Sequence, residues 1–198
     1  MNKLFAISIG LVLLVLLLLF STTYTVAYHE VAIKTTFGQT GEGDASVIRD
    51  PGLKFKLPFF ADRVKHLDTR VQLTESPLKT MPTADRQQVE IKAFLLWRVD
   101  VADTGPIEFM RSFATQADAE DKIKGQLEAA LGAVSRFRFD DILGRESKMA
   151  AIEAAVLDEL RRNLSPGVNA EMIGFSQVAL ASKTTTGVLG RMKADLEA

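Results

Sequence analysis

The chain has 198 residues, with 24 lysines and arginines against 25 aspartates and glutamates, and it has no cysteine. A formal net charge of −1 excludes the basic balance typical of nucleic-acid-binding proteins. The missing cysteines exclude disulfides, thiolate nucleophiles and cysteine-ligated metals. About 170 residues follow an apolar N-terminal run, enough for one domain with a core or for two small lobes sharing one.

The N-terminal run from Leu4 to Phe20 contains no charged residue, and only two of its members are not apolar. Seventeen helical residues at about 1.5 Å each span roughly 26 Å, and the uncharged sequence continues through Ser21–Tyr28. The insertion free energies of its side chains sum to about −6 kcal/mol. The run predicts an uncleaved transmembrane anchor within residues 1–27. A cleaved signal peptide is the alternative, although Thr25-Val26-Ala27 is a poor cleavage site.

The charges around this run predict its orientation. Lys3 and the amino terminus precede it, whereas the first lysine or arginine after it is Lys34. Because positive residues favour the cytoplasmic side of a membrane, we expect a cytoplasmic N-terminus and an exported body.

Strands are predicted where apolar and polar residues alternate with a period of two. Val31–Phe37 follows this pattern, and so does Leu53–Leu57 after the turn signal Asp50-Pro51-Gly52. The alternation continues in Leu67–Leu73. The clearest strand is Val89–Val99, in which every second residue is apolar or aromatic.

Beyond Asp100 the apolar residues recur at helical spacing. Asp140-Asp141 suits the start of a helix, because carboxylates near a helix N-terminus are stabilised by the helix dipole. Three helices, a returning strand and a final helix are predicted in this order: 107–114, 123–134, 140–164, 168–180 and 184–198.

Several motifs together carry a resemblance to a known family. They are Glu30-Val31-Ala32-Ile33, Phe37-Gly38, Pro51-Gly52-Leu53-Lys54-Phe55-Lys56-Leu57-Pro58-Phe59 and Leu67-Asp68-Thr69-Arg70-Val71-Gln72. With the N-terminal anchor, they resemble the SPFH or band 7 superfamily of stomatins, prohibitins and flotillins, and most closely its bacterial HflC branch. The resemblance extends over residues 24–198.

The resemblance implies an α+β fold with four parts. A transmembrane anchor at 1–27 precedes an SPFH domain at 28–180, which divides into a β-rich SPFH1 lobe and an α/β SPFH2 lobe. The start of a C-terminal helix, a truncated coiled coil, follows. The implied bounds of the lobes and the helix are 28–102, 103–180 and 181–198.

The resemblance also implies a membrane scaffold and no enzyme. Family members form rings or cages, mark out lipid microdomains and, in the HflC branch, modulate a membrane-bound AAA protease. The implied partners are membrane lipids, further copies or a paralogous HflK-like protein, and an FtsH-like protease, with no nucleic acid. The implied location is the bacterial inner membrane, single-pass, with the body in the periplasm.

Two departures from the family pattern shape the expected assembly. Ala181-Ser182 stands where the family usually has a proline, and the long coiled coil is reduced to Thr184–Ala198. We therefore expect the body from Tyr28 onward to associate weakly without its anchor, and strand edges such as Leu53–Leu57 to contribute contacts in the membrane. Pro58-Phe59-Phe60 is expected either in the core or at the lipid headgroups.

Residues that resemble enzymatic motifs form only incomplete patterns. His29-Glu30 begins a zinc-binding pattern, but Ile33 stands where the second histidine would be. His66 is a lone histidine. Ser147-Lys148 and Ser182-Lys183 are neighbours in sequence, and neighbouring residues do not face each other on a helix.

Two further patterns have simpler explanations. Asp140-Asp141 is explained by helix capping more economically than by cation binding, and Gly41-Glu42-Gly43 lacks the lysine and helix of a phosphate loop. No catalytic, cofactor-binding or metal-binding residue is assigned. The alternative to a scaffold is an exported, membrane-tethered hydrolase or metal-dependent enzyme whose residues converge only in the fold.

Overall fold

The computed structural model describes residues 3–36, 39–40, 46–57, 61–144 and 147–180. Its mixture of helices and strands confirms the α+β class. The elements are α1 (Lys3–Thr22), β1 (Thr23–Val26), β2 (Glu30–Thr36), β3 (Gln39–Thr40), β4 (Val47–Ile48), β5 (Gly52–Phe55), β6 (Asp62–Asp68), β7 (Gln72–Glu75), β8 (Lys79–Pro82), β9 (Gln88–Val99), α2 (Gly105–Ser112), α3 (Gln116–Ala130), a 3₁₀ helix (Leu131–Arg136), α4 (Phe139–Leu143), α5 (Met149–Asn163) and β10 (Val168–Leu180). The expected loop Pro58-Phe59-Phe60 and the expected final helix 184–198 lie outside the described residues.

Contacts divide the chain into two compact units. The first comprises Met1–Arg70 with Val99–Phe109, and the second comprises Val71–Arg98 with Met110–Ala198. Residues 71–98 thus group with the helices that follow them. The lobe bounds 28–102 and 103–180 stay a prediction about the family domain.

The N-terminal helix α1 is shorter than the expected anchor at 1–27. It ends at Thr22, whose hydroxyl donates to the Leu19 carbonyl at 2.9 Å. The next residues, Thr23–Val26, form strand β1 because threonine, tyrosine and valine favour extended backbone. Counted over the described residues alone, no helix is both long and apolar enough to span a membrane.

The first unit is built around β2. This strand pairs antiparallel with β6, from Glu30 opposite Asp68 to Thr36 opposite Asp62. It also pairs antiparallel with β3 and β4. A separate antiparallel ribbon joins β1 to β5, and β5 begins at Gly52, whose φ of 118° favours glycine.

The second unit is built around β9. Its sheet has the order β10–β9–β7, and β8 also pairs with β9. Alternate residues of β9 from Val89 to Val99 are buried, as its period of two predicts. The helices α3 and α5 contact each other, and α5 also contacts β10. Their buried residues include Ile123, Leu127, Ile152, Val156 and Leu160.

The expected strand Leu67–Leu73 is wrong, because it is two strands in two different sheets. β6 ends at Asp68 and β7 begins at Gln72. The Asp68 carboxylate accepts from the Arg70 backbone N–H at 2.9 Å and also from its guanidinium. Such a local side-chain bond competes with strand pairing.

The expected helix 140–164 is also two elements. Asp140-Asp141 lies in the first turn of α4, and α5 begins only at Met149. The Asp141 carboxylate accepts from the Arg138 N–H at 3.2 Å, which caps the short helix. Gly144 follows the last residue of α4, and this position needs glycine because a Cβ there would overlap the Asp140 carbonyl oxygen.

Candidate functional site

The two histidines of the chain flank one carboxylate. His66 Nδ1 lies 3.0 Å from Glu30 Oε2, and His29 Nε2 lies 3.9 Å from Glu30 Oε1. The β2–β6 register brings His66 to this position, two residues from the pair Glu30–Asp68. Among the described residues, no cluster of three or more acidic, histidine or cysteine side chains has the geometry to hold a metal ion. The structure therefore brings these three side chains together as an exposed polar group.

The two adjacent residues Ser147 and Lys148 contact different groups. The Ser147 hydroxyl donates to the Ile142 carbonyl at 3.1 Å, and Lys148 Nζ lies 2.8 Å from Asp141 Oδ1. This ammonium lowers the pKa of Asp141. The two side chains stabilise the turn between α4 and α5. Ser182-Lys183 and Gly41-Glu42-Gly43 lie outside the described residues.

Asp62 is a carboxylate of the first unit with three partners, and sequence reasoning missed it. It is buried, and it accepts hydrogen bonds from the Leu57 backbone N–H, the Lys34 ammonium and the Thr36 hydroxyl, each at 2.8 Å. The Leu57 N–H, followed by the Lys34 ammonium, lowers the pKa of Asp62 to about 2. Its partners lie 5 to 28 residues away in sequence, so no local motif marks it.

A cleft of about 570 Å³ opens beside Lys34 in the same unit. Its walls come from β1, β2, β4, β5 and the two residues after β4. The cleft is lined by Tyr24, Lys34, Val47, Ile48, Arg49, Asp50, Lys54 and Phe55. Three of these side chains are cationic and one is a carboxylate, so the lining carries a formal charge of +2.

Tyr24 gives the cleft an unusual polar group. Its hydroxyl is buried and has no hydrogen-bond partner among the residues that the structure describes. Burial raises the pKa of Tyr24, and the nearby Lys34 ammonium opposes this shift. Lys54 lies directly opposite Tyr24 in the β1–β5 ribbon, so both side chains point to the same face.

Arg49 is held in place at the cleft by the backbone. Its Nε donates to the Val101 carbonyl at 2.8 Å, and its Nη2 donates to the Asp103 carbonyl at 2.5 Å. The cleft therefore brings the ammonium groups of Lys34 and Lys54 beside a buried hydroxyl, an arrangement suited to an anion.

Comparisons with known proteins place the whole chain in context. Residues 24–185 match the SPFH domain / Band 7 family. Protein HflC of Vibrio parahaemolyticus serotype O3:K6 is 25% identical over 221 aligned positions, covering 96% of this chain and 67% of that protein. Protein HflC of Vibrio cholerae serotype O1 is 30% identical over 139 positions, covering 67% of this chain and 41% of that protein.

A third relative carries a functional name. Modulator of FtsH protease HflC of Escherichia coli strain K12 is 28% identical over 93 positions, covering 46% of this chain and 28% of that protein. The matched regions thus span between 28% and 67% of these three relatives. The family match covers most of the chain, and the chain therefore belongs to the SPFH domain / Band 7 family, with similarity to its HflC proteins.

Proposed function

We propose that this chain is a non-enzymatic, membrane-anchored scaffold that modulates a membrane-bound AAA protease. The observation that carries the proposal is the family match over residues 24–185, together with the similarity to a protein named as a modulator of FtsH protease. Because the matched regions span only part of these relatives, their activity is extended to this chain as a proposal.

The contacts of the candidate catalytic side chains favour a scaffold over an exported hydrolase or metal-dependent enzyme. Such an enzyme needs a nucleophile and a base within hydrogen-bond reach, or several convergent metal ligands. Ser147 instead donates to the Ile142 carbonyl, and Lys148 pairs with the Asp141 carboxylate. Both contacts stabilise the connection between α4 and α5.

Anchoring by α1 in the bacterial inner membrane is part of the proposal. The sequence Leu4–Phe20 is uncharged, and the described large apolar side chains of α1 are exposed. The cytoplasmic side is assigned to Lys3 and the N-terminus, and the body is assigned to the periplasm. Protease added to spheroplasts should then digest the body, whereas survival of the body until lysis would contradict this orientation.

Assembly with further copies or with an HflK-like paralogue, and organisation of a lipid microdomain, complete the proposal. The β1–β5 ribbon has only two strands among the described residues, so each of them has an edge that could pair with a neighbour. This feature supports assembly through strand edges.

Reconstitution tests the proposed modulation. The full chain is inserted with an FtsH-type protease into liposomes, and the degradation rate of a membrane-protein substrate is measured against protease alone. A protein in which α1 carries an unrelated periplasmic domain serves as the control. We expect the full chain to bind the protease in mild detergent and to change the rate, while the control does neither. Unchanged degradation without co-purification would contradict the proposal.

A further inference from the structure

The cleft lined by Tyr24, Lys34 and Lys54 is the strongest unassigned feature of the described residues. Tyr24 contributes a buried hydroxyl that has no partner among them. A buried hydroxyl without a partner costs free energy, so its presence is readily explained if a ligand accepts its hydrogen bond. Because the hydroxyl is buried, a ligand in the cleft must displace the groups that cover it and present an acceptor atom to it.

The ammonium groups in the lining of the cleft favour an anion as the ligand. Lys34 uses one of its three N–H donors on Asp62 and keeps two, and Lys54 forms no ion pair among the described residues. Arg49 also lines the cleft, where two backbone carbonyls accept hydrogen bonds from its guanidinium. The buried Asp62 offsets the charge of Lys34, and Asp50 is exposed to solvent, so Lys54 is the ammonium that is left to offset the charge of an anion.

The volume of the cleft favours an anion that carries an organic group. A volume of about 570 Å³ is much larger than a single inorganic ion needs. Val47, Ile48 and Phe55 supply apolar wall area beside the cations. A phosphate ester combines strong acceptor oxygens, three in a monoester and two in a diester, with a carbon-bearing group.

We propose that this cleft binds the phosphate group of a phosphate ester, with Tyr24, Lys34 and Lys54 donating to its oxygens. The proposal does not rest on the scaffold function. The position of the cleft allows two sources of the ester, a lipid headgroup or a soluble phosphate ester. Tyr24 follows the last residue of α1 by two positions, and the Lys56 N–H donates to the Thr22 carbonyl at 2.7 Å. An anchored α1 would therefore hold the cleft close to the membrane surface.

The two tyrosines of the chain provide a direct probe. The full chain, labelled with ¹³C at the tyrosine ring, is placed in uncharged detergent and titrated with glycerol 3-phosphate. Sodium chloride at matched ionic strength is the control. The exposed Tyr28 gives the second signal, and Tyr28→Phe assigns the two. We expect a saturable shift of the Tyr24 signal with glycerol 3-phosphate and none with chloride.

Two charge variants separate the cleft from general electrostatics. Lys54→Gln should weaken binding at least about tenfold, since a hydrogen bond from a charged donor is lost. Arg63→Gln removes an exposed cation from β6 of the same unit and should change affinity less than about twofold. Tyr24→Phe should also weaken the binding of glycerol 3-phosphate, which calorimetry measures because this variant has no Tyr24 signal. Thermal unfolding by circular dichroism confirms that each variant is folded.

Nanodiscs distinguish the two sources of the phosphate. A shift of Tyr24 in discs that contain phosphatidylglycerol, without added solute and beyond that in discs of a phosphate-free galactolipid, supports the lipid headgroup. A shift that needs added glycerol 3-phosphate supports the soluble ester. An unmoved Tyr24 signal under all of these conditions overturns the proposal. Equal effects of Lys54→Gln and Arg63→Gln, or an equal response to chloride, also overturn it.

Discussion

At the scale of single residues, Asp62 joins three segments of the first unit. Its carboxylate holds Lys34 and Thr36 of β2 and the backbone of Leu57. Asp62→Asn removes the charge that these donors stabilise. We expect the free energy of unfolding at neutral pH to fall by about 1 to 2 kcal/mol, less than the full pKa shift implies because Lys34 is partly in solvent. Thermal or urea unfolding measures this loss.

The pH dependence of this loss follows from the lowered pKa of Asp62. A carboxyl whose folded pKa is lowered stabilises the fold above its usual value of 3.8, and this contribution is lost as pH falls towards 2. The stability difference between the wild type and Asp62→Asn should therefore shrink across that window. Asp68→Asn on the same strand is the control and should lose less stability, because Arg70, which lowers the pKa of Asp68, is exposed and local. A difference that persists at pH 2 would contradict the assigned cause.

The conservative substitution Tyr24→Phe is expected to stabilise the protein, which is unusual for a change at a buried group. Tyr24→Phe removes a buried hydroxyl that lacks a partner among the described residues. We expect the free energy of unfolding to rise by up to about 1 kcal/mol in the absence of ligand. Tyr28→Phe at a 94% exposed position should change it by less than about 0.5 kcal/mol. Clear destabilisation by Tyr24→Phe in thermal unfolding would show that the hydroxyl has a stabilising partner.

At the scale of elements, the packing of β10 on β9 depends on Gly174. A Cβ at this position would lie 2.5 Å from Cζ of Phe94. Gly174→Ala should therefore lower the free energy of unfolding by about 1 to 3 kcal/mol through overpacking. Gly125→Ala in α3 is the matched control, because a Cβ there meets nothing within 4 Å and alanine favours a helix.

A double-mutant cycle identifies the cause of that loss. Adding Phe94→Leu to Gly174→Ala should relieve the overlap and give a coupling free energy of at least about 0.5 kcal/mol. Additive effects in urea unfolding would mean that Phe94 is not the obstacle.

Strand β1 also belongs to the folded body, although the sequence grouped it with the anchor. Val26 is 1% exposed, and β1 pairs along its length with β5. A chain that begins at Thr23 should keep the protection of β5 amides from hydrogen exchange, whereas one that begins at Tyr28 should lose it. Mass spectrometry of the exchanged peptides measures the difference. Equal protection in the two chains would show that β1 is dispensable.

At the scale of the whole molecule, the proposed anchoring depends on the apolar side chains of α1. Leu13→Arg with Leu16→Arg places two charges at its centre, each costing about 2.5 to 3.5 kcal/mol on the insertion scale. Their sum of about 5 to 7 kcal/mol is close to the size of the roughly −6 kcal/mol of the whole run. We expect the variant to leave the carbonate-resistant membrane fraction. Ser21→Arg with Thr22→Arg at the helix end should stay, because arginine there reaches the interface. Retention of both variants would argue against insertion of α1.

The sequence alone predicted the elements that repeat a local pattern. β9 was predicted close to its observed bounds, because strand residues alternate between two faces whatever their pairing. β10 was also predicted at its observed bounds, although its pattern is less regular. The apolar spacing of α5 likewise predicted its buried residues Ile152, Val156 and Leu160. The family motifs in residues 24–198 also identified the SPFH class, which the comparison over 24–185 confirms.

Only the tertiary structure decided which distant residues meet. The pairing of β1 with β5, the pairing of β2 with β6, and the buried Asp62 all depend on contacts that no periodicity encodes. The cleft combines side chains from four strands, so neither its charge nor the buried Tyr24 hydroxyl is visible along the chain. The physical reason is that hydrophobic patterning specifies which face of an element is buried, whereas hydrogen bonds and ion pairs between elements depend on their register in three dimensions.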